Sequence, residues 1–218
     1  MFYLSRIEHT LRFPPHLLNL PLQEAIHKEL EKLFLDKVIA KLGLCISVYD
    51  IRSIEGGFIF PNDGAATYTK RNNLDCFTYS WRLLVVFTLV MFRPFVGEII
   101  SAQLLKSDAD GLQLSVGFFD DIHIPDHNFP KPSRFQVEPG YSDRGRWIWD
   151  YNEQSFDIDN SDEIRFRVIS VSYPPIPLEQ PKESKPFAPM VITGSIDDDG
   201  LGPVSWWTEA NVVEDEAT

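Results

Sequence analysis

Cysteine is scarce in this chain of 218 residues: Cys45 and Cys76 stand far apart, with no CxxC spacing. That argues against a disulfide framework or a zinc site, and it fits a reducing compartment. Catalytic signatures are missing too. There is no GxSxG, no P-loop, no HExxH and no GxGxxG after a strand. The apolar run from Leu83 to Phe92, broken only by Thr88, falls short of the roughly 20 residues a membrane span needs. It reads as a buried strand, with an amphipathic membrane or partner helix as the alternative. The start, Met1 to Arg6, lacks the charged start and long apolar core of a signal peptide, so no secretory leader is expected. There is no internal repeat.

Positive charge is what the second half lacks. Residues 1–110 balance 12 Lys and Arg against 12 Asp and Glu, whereas residues 111–218 hold 8 against 20, the whole formal charge of −12. An acidic half repels phosphate at long range. Tight nucleic-acid binding by the chain alone is therefore disfavoured; stacking, a local basic patch or a basic partner would be needed. What is present is apolar content, 44%, enough for a packed core.

Strand and helix signals divide the chain. Phe2 to Phe13 alternates as a strand and ends at Pro14-Pro15. Leu22, Ala25, Ile26, Leu30, Leu33 and Phe34 recur at helical steps, predicting a helix from Leu22 to Ile39, with Glu24 and Lys28 paired on its wet side. Gly43 suits a chain reversal. Leu44–Ile51 and Phe58–Phe60 read as separate strands, the second ending in the turn Pro61-Asn62-Asp63-Gly64. This is a compact α+β unit. From Phe92 onward the chain reads as strands and turns: Glu98–Leu105, Gly111–Phe118, Ile122–Ile124, Trp147–Trp149, Glu163–Tyr173 and Met190–Ile196. Pro174–Pro189 is an exposed loop, Gly200–Pro203 a turn, and Val204–Trp207 returns to the core. Five or so strands closing on themselves suit a Greek-key barrel of the oligonucleotide-binding kind.

Several side chains are candidates for chemistry. Phe118 and Phe119 could form a stacking platform for bases; adjacent strand residues face opposite ways, so one exposed and one buried is expected. Arg165 and Arg167 share a strand face and could track phosphates, or form an ordinary solvated face. His123 and His127 flank Asp126 near Asp120 and Asp121, but Pro125 interrupts the segment, so a metal is not expected. Asp197-Asp198-Asp199-Gly200 lacks the spacing of a calcium loop and reads as a solvated acidic turn. Trp147, Trp149, Trp206 and Trp207 read as core or interface anchors.

Taken in order, a set of stretches resembles one family. They are Met1–Ser5 with Pro14-Pro15, Glu24-Ala25-Ile26, Leu42–Ile46, Phe60–Ala65, Val90–Ile99, Leu114–Pro125, Glu163–Val168 and Gly200–Trp207. The family is that of the larger stalk subunit of nuclear RNA polymerase III, with relatives in the stalks of polymerase II and of the archaeal polymerase. The resemblance implies a truncated ribonucleoprotein-like tip domain over 1–92. An S1-type oligonucleotide-binding β-barrel over 93–207 and an acidic disordered tail over 208–218 would follow. It implies a nuclear protein of the polymerase with no active site and no cofactor. The implied partners are the smaller stalk subunit, the polymerase core, initiation factors and, weakly, nascent RNA; no membrane is implied. Pro61, Asn62, Asp63, Gly64 and Ala65 match the loop that meets the core. Phe118, Phe119 and His123 fall near positions where S1-type barrels stack RNA.

The chain departs from the family pattern at Lys70 to Leu84, which relatives lack between a segment like Ala65–Thr69 and one like Val85–Phe87. A retained intron or gene-model error accounts for it, or else a tolerated surface loop. Two other functions compete with the stalk. A free-standing S1-type RNA-binding protein of RNA decay or translation would be expected to carry its own basic groove. An enzyme built on His123 and Asp126 is the third.

Overall fold

The run Leu83–Phe92 becomes the spine of a sheet. The structure, a computed structural model, describes residues 1–13, 17, 19–61, 67–68, 77–137, 145–152, 154–159, 162–175 and 188–208, with backbone alone at 13, 57–61, 67–68, 77–82 and 208. Two compact units emerge, Met1–Arg93 and Pro94–Thr218.

The first unit holds β1 (Phe2–Phe13), α1 (Leu22–Phe34), β2 (Val38–Ile39), β3 (Gly43–Pro61), β4 (Thr67–Tyr68) and β5 (Phe77–Phe92). β5 pairs antiparallel with β1 on one side and β3 on the other, and the sheet order is β1-β5-β3-β2. Every second residue of β5, namely Val85, Phe87, Leu89 and Met91, is fully buried. They share a core cluster with Ala25, Ile26 and Leu30 of α1. A period of two on the strand thus meets a helical stripe. The expected Glu24–Lys28 pair forms at 2.9 Å.

The helix is shorter than its apolar pattern suggests. It stops at Phe34 because Leu35 turns extended and Asp36 takes a left-handed φ of 56°. Asp36 N–H then donates to the Cys45 carbonyl and Cys45 N–H to that of Lys37, both at 3.0 Å. The β-branched Val38 and Ile39 join Leu44 and Gly43 as strand rather than extending the helix. Cys45 is fully buried here. Burial, then the Asp36 carboxylate, push its thiol pKa up against a smaller lowering by the Ser47 backbone, so it stays protonated.

Leu44–Ile51 and Phe58–Phe60 are one strand, not two. Irregularities in its pairing with β5, among them shifts at Cys45/Ser47 and Gly56/Phe58, bend it without breaking it. Residues 77–84 of the segment that departs from the family pattern also belong to the sheet. Leu83 and Leu84 stand opposite Leu11 and Thr10 of β1, and Leu83 is only 3% exposed. Residues 70–76 lie outside the described residues.

The second unit holds β6 (Ile99–Asp108), β7 (Gly111–Ser115), β8 (Ile122–Pro125), β9 (Ser133–Val137), β10 (Gly145–Tyr151), β11 (Gln154–Asp157), β12 (Glu163–Ser172), β13 (Val191–Ser195), β14 (Gly202–Pro203) and α2 (Ser205–Thr208). β6-β7-β8-β13-β12 close into a ring, because β12 pairs with both β6 and β13. The β8–β13 pairing is parallel and the others are antiparallel. Closure leaves the ring no free edge. Ile100, Leu114, Ile122, Ile124, Ile164, Phe166, Val168 and Ile192 point inward and are almost wholly buried. Gly194 has no side chain where the Phe166 ring sits: a Cβ there would lie 2.5 Å from the ring.

Trp147–Trp149 is not a barrel strand. It lies in β10, the centre of a separate sheet ordered β11-β10-β9. Trp147 ties this sheet to the barrel: its Nε1–H donates to the Asp108 carbonyl at 2.9 Å, and its ring meets Phe129 edge-on at 4.6 Å. Trp206 stacks near Trp149 and donates to the Asp157 carbonyl at 3.1 Å. Gly202-Pro203, expected as turn alone, pairs with Arg165 and Ile164 of β12. The expected tail, 209–218, lies outside the described residues.

Gly43 takes φ +103°, and a Cβ there would lie 2.2 Å from the Phe92 carbonyl oxygen. The Gly43→Ala variant is expected to lose roughly 2–4 kcal/mol of stability in thermal or urea unfolding. Gly97→Ala, at φ +91° with nothing within 4 Å, should lose about 1 kcal/mol.

Candidate nucleic-acid interface

The turn between β7 and β8 is built by one serine. The Ser115 hydroxyl donates to the Asp120 carboxylate and accepts the Gly117 N–H at 2.9 Å. Gln113 Nε2 donates to the Asp120 carbonyl at 3.1 Å, and Val116 N–H to that of Phe119, also at 3.1 Å. The strand therefore stops at Ser115 rather than reaching Phe118. Gly117 takes φ +88°, which reverses the chain.

Phe118 is thereby held 47% exposed, while Phe119 is 7% exposed and packs inward. One of the pair is outside and one inside, as parity suggests, although a turn and not a strand separates them. Burial makes Phe119 a support for the turn, and Phe118 is the ring of the pair that stands in solvent.

His123 lies on the outer side of β8 between the fully buried Ile122 and Ile124. Gln113 of β7 and Thr193 of β13 are its cross-strand neighbours. Beside it runs a groove of about 260 Å³ whose walls include Asp108, Asp110, Gln113 and His123. Two carboxylates make this groove unfavourable for a phosphate. Asp126 and His127 follow in a single 3-10 turn, their side chains 3.4 Å apart. Among the described residues no group of His, Cys, Asp and Glu is arranged to hold a metal.

Arg165 and Arg167 alternate with Ile164, Phe166 and Val168, which are fully buried, so both point outward. Arg167 stands opposite Ser195 of β13 and Arg165 opposite Gly202. Thr193, the neighbour of His123, stands opposite Ser170. The structure therefore brings Phe118 and His123 together on one hairpin. It sets the arginines apart from them, two strands round the ring or ~10 Å, and further along it. Arg167 is ion-paired to Asp198. Of the expected core-contact loop, Pro61 is the last residue of β3, opposite Tyr79, and residues 62–65 lie outside the described residues.

Sequence reasoning missed the Ser115–Asp120 lock and the role of Asp198. The first left a local trace, a Ser followed by Gly and then by Asp, but it was absorbed into a strand. The second left none, since Arg167 and Asp198 meet only through β12–β13 pairing.

The family model described as RNA polymerase III subunit Rpc25 matches residues 98–207, which include the whole ring, the Phe118 turn and the Trp206-Trp207 ending. The chain belongs to the Rpc25 family. A second model, the SHS2 domain found in the N terminus of Rpb7p/Rpc25p/MJ0397, matches residues 8–64. The fold is thus an SHS2 domain followed by a closed five-stranded barrel. Residues 65–97 lie between the two matches. The chain is similar to DNA-directed RNA polymerase III subunit RPC8 of Bos taurus, 34% identical over 96% of this chain and all of the relative. It is 30% identical to subunit RPC8 of Saccharomyces cerevisiae, over 95% of this chain and all of the relative. A more distant likeness is to DNA-directed RNA polymerase subunit Rpo7 of Saccharolobus solfataricus, 26% identical over 79% of this chain and 83% of the relative. Likeness across the Rpc25 family thus extends through both units.

Ser115→Ala removes a hydroxyl that serves a carboxylate and a backbone N–H. Denaturant unfolding of the variant should show a loss of about 1–3 kcal/mol, with Asp120→Asn losing less because it retains an acceptor.

Proposed function

We propose that the chain is a non-catalytic stalk subunit of nuclear RNA polymerase III that supports transcription initiation. In this reading it dimerises with the smaller stalk subunit and contacts initiation factors. Its first unit, residues 1–92 by the family pattern, docks on the core through Pro61 to Ala65. The observation that carries the proposal is likeness over the full length of relatives named as subunits of that polymerase. A subunit of this kind works by position, in keeping with a sequence that offers no catalytic motif.

The barrel, residues 93–207, adds a weak contact to nascent RNA. Phe118 supplies the stacking face, His123 flanks it, and Arg165 meets the phosphate backbone. Stacking on one aromatic is worth ~1–3 kcal/mol per base, too little for a lone binder in an acidic unit. Charge thus speaks against the free-standing RNA-binding protein of decay or translation.

Purification of the tagged chain from nuclear extract, followed by mass spectrometry, tests the proposal. Recovery of the polymerase III core and a smaller partner is expected, with peptides from the Lys70–Leu84 segment if the mature protein retains it. A chain recovered alone, or with decay or translation factors, contradicts the stalk reading. On the isolated chain at low salt, Phe118→Ala should weaken RNA binding ~5- to 100-fold by fluorescence anisotropy, the loss of one stacked base.

A further inference from the structure

We infer that Asp198 acts as an internal phosphate mimic, occupying Arg167 and keeping the barrel's hold on RNA weak. The inference rests on the RNA contact proposed above and concerns how that contact is limited.

β12 offers two outward cations, Arg165 and Arg167, one residue apart. They differ in one respect. Among the described residues Arg165 has no carboxylate within ion-pair distance, whereas Arg167 Nη1 meets Asp198 Oδ2. The contact is held from the backbone. Ser195, opposite Arg167 across the sheet, accepts the Asp197 N–H on its hydroxyl at 3.1 Å. The same hydroxyl donates to the Asn128 carbonyl at 3.1 Å. Asp198 accepts the Asp199 N–H on its Oδ1 at 3.0 Å, and its carbonyl accepts the Leu201 N–H at 3.2 Å. One carboxylate oxygen is thus fixed to the turn and the other presented to the guanidinium. A carboxylate and a phosphate offer a guanidinium the same acceptor geometry.

Three other cations of this unit follow the pattern. Lys106 pairs with Asp108, Arg134 with Asp150, and Arg146 with Asp157 and Asp159. Among the described residues of the second unit, only Lys131 and Arg165 lack such a partner. A phosphate must therefore displace a carboxylate to reach Arg167. Such a pair, with both side chains about 40% exposed, is weak enough to be exchanged. RNA held elsewhere by the polymerase could make the exchange, and free RNA would do so poorly.

Asp198→Asn keeps an oxygen for the Asp199 N–H and removes the charge. Fluorescence anisotropy of the full chain with a short labelled oligouridine, titrated with salt, reads the effect. Asp126→Asn, on the turn after β8, serves as an equal charge change away from β12. Asp198→Asn is expected to bind roughly three- to tenfold tighter than wild type, with a salt slope steeper by ~0.7, one more phosphate contact. The gain should vanish in the double variant with Arg167→Ala, and Asp126→Asn should stay within about twofold of wild type. Thermal unfolding checks the turn, and Asp198→Ser replaces Asp198→Asn if the latter melts early. If Asp198→Asn binds no tighter than Asp126→Asn while Phe118→Ala still weakens binding, the inference fails and the RNA contact stands. If neither wild type nor Asp198→Asn binds at low salt, the RNA contact fails and the inference with it.

Discussion

Phe166 lies in the space left by Gly194, and much of the second unit depends on that fit. It lets β12 and β13 close the ring with Ile164, Phe166 and Val168 inside. Because strand residues alternate, the same closure forces Arg165 and Arg167 outward. It also sets Ser195, and through it the turn of Asp197–Asp199, against Arg167. On the other side of β13, parallel pairing with β8 turns His123 to the outside beside Thr193. A one-residue slip would put these residues inside the barrel.

Electrostatics and architecture agree on a modest role for this barrel. The second unit, Pro94–Thr218, carries 9 Lys and Arg against 23 Asp and Glu. Most of its described cations already face carboxylates. An exposed aromatic on a rigid turn still offers a face that charge does not forbid, because stacking is short-ranged. In the proposed role such a surface would contribute when RNA is delivered to it and would do little alone. That is the behaviour the proposed stalk role requires.

Much of the fold was legible because it rests on local periodicity. Phe2–Phe13 reads as a strand from its composition, and Glu163–Val168 alternates so that its inside and outside faces follow. The end of α1 was not legible: Val38 and Ile39 prolong the apolar pattern, while the left-handed turn at Asp36 has no strong signal. The strand of Trp147–Trp149 could be seen, but its partner could not, since pairing with β9 and β11 rather than with the ring is a tertiary choice. At the candidate site, outward arginines and one exposed phenylalanine were legible from parity. That the arginines stand apart from Phe118 and His123, and that Arg167 is occupied, depends on long-range register.

The central claim, that RNA meets the barrel at the β7–β8 hairpin in the company of the polymerase, has a direct test. Transcribing polymerase containing this chain can be cross-linked to nascent RNA bearing 4-thiouridine, and the modified peptide identified by mass spectrometry. Cross-links on the hairpin from Ser115 to Ile124 are predicted. Cross-links confined to the first unit, or to the β9–β11 sheet, would contradict it.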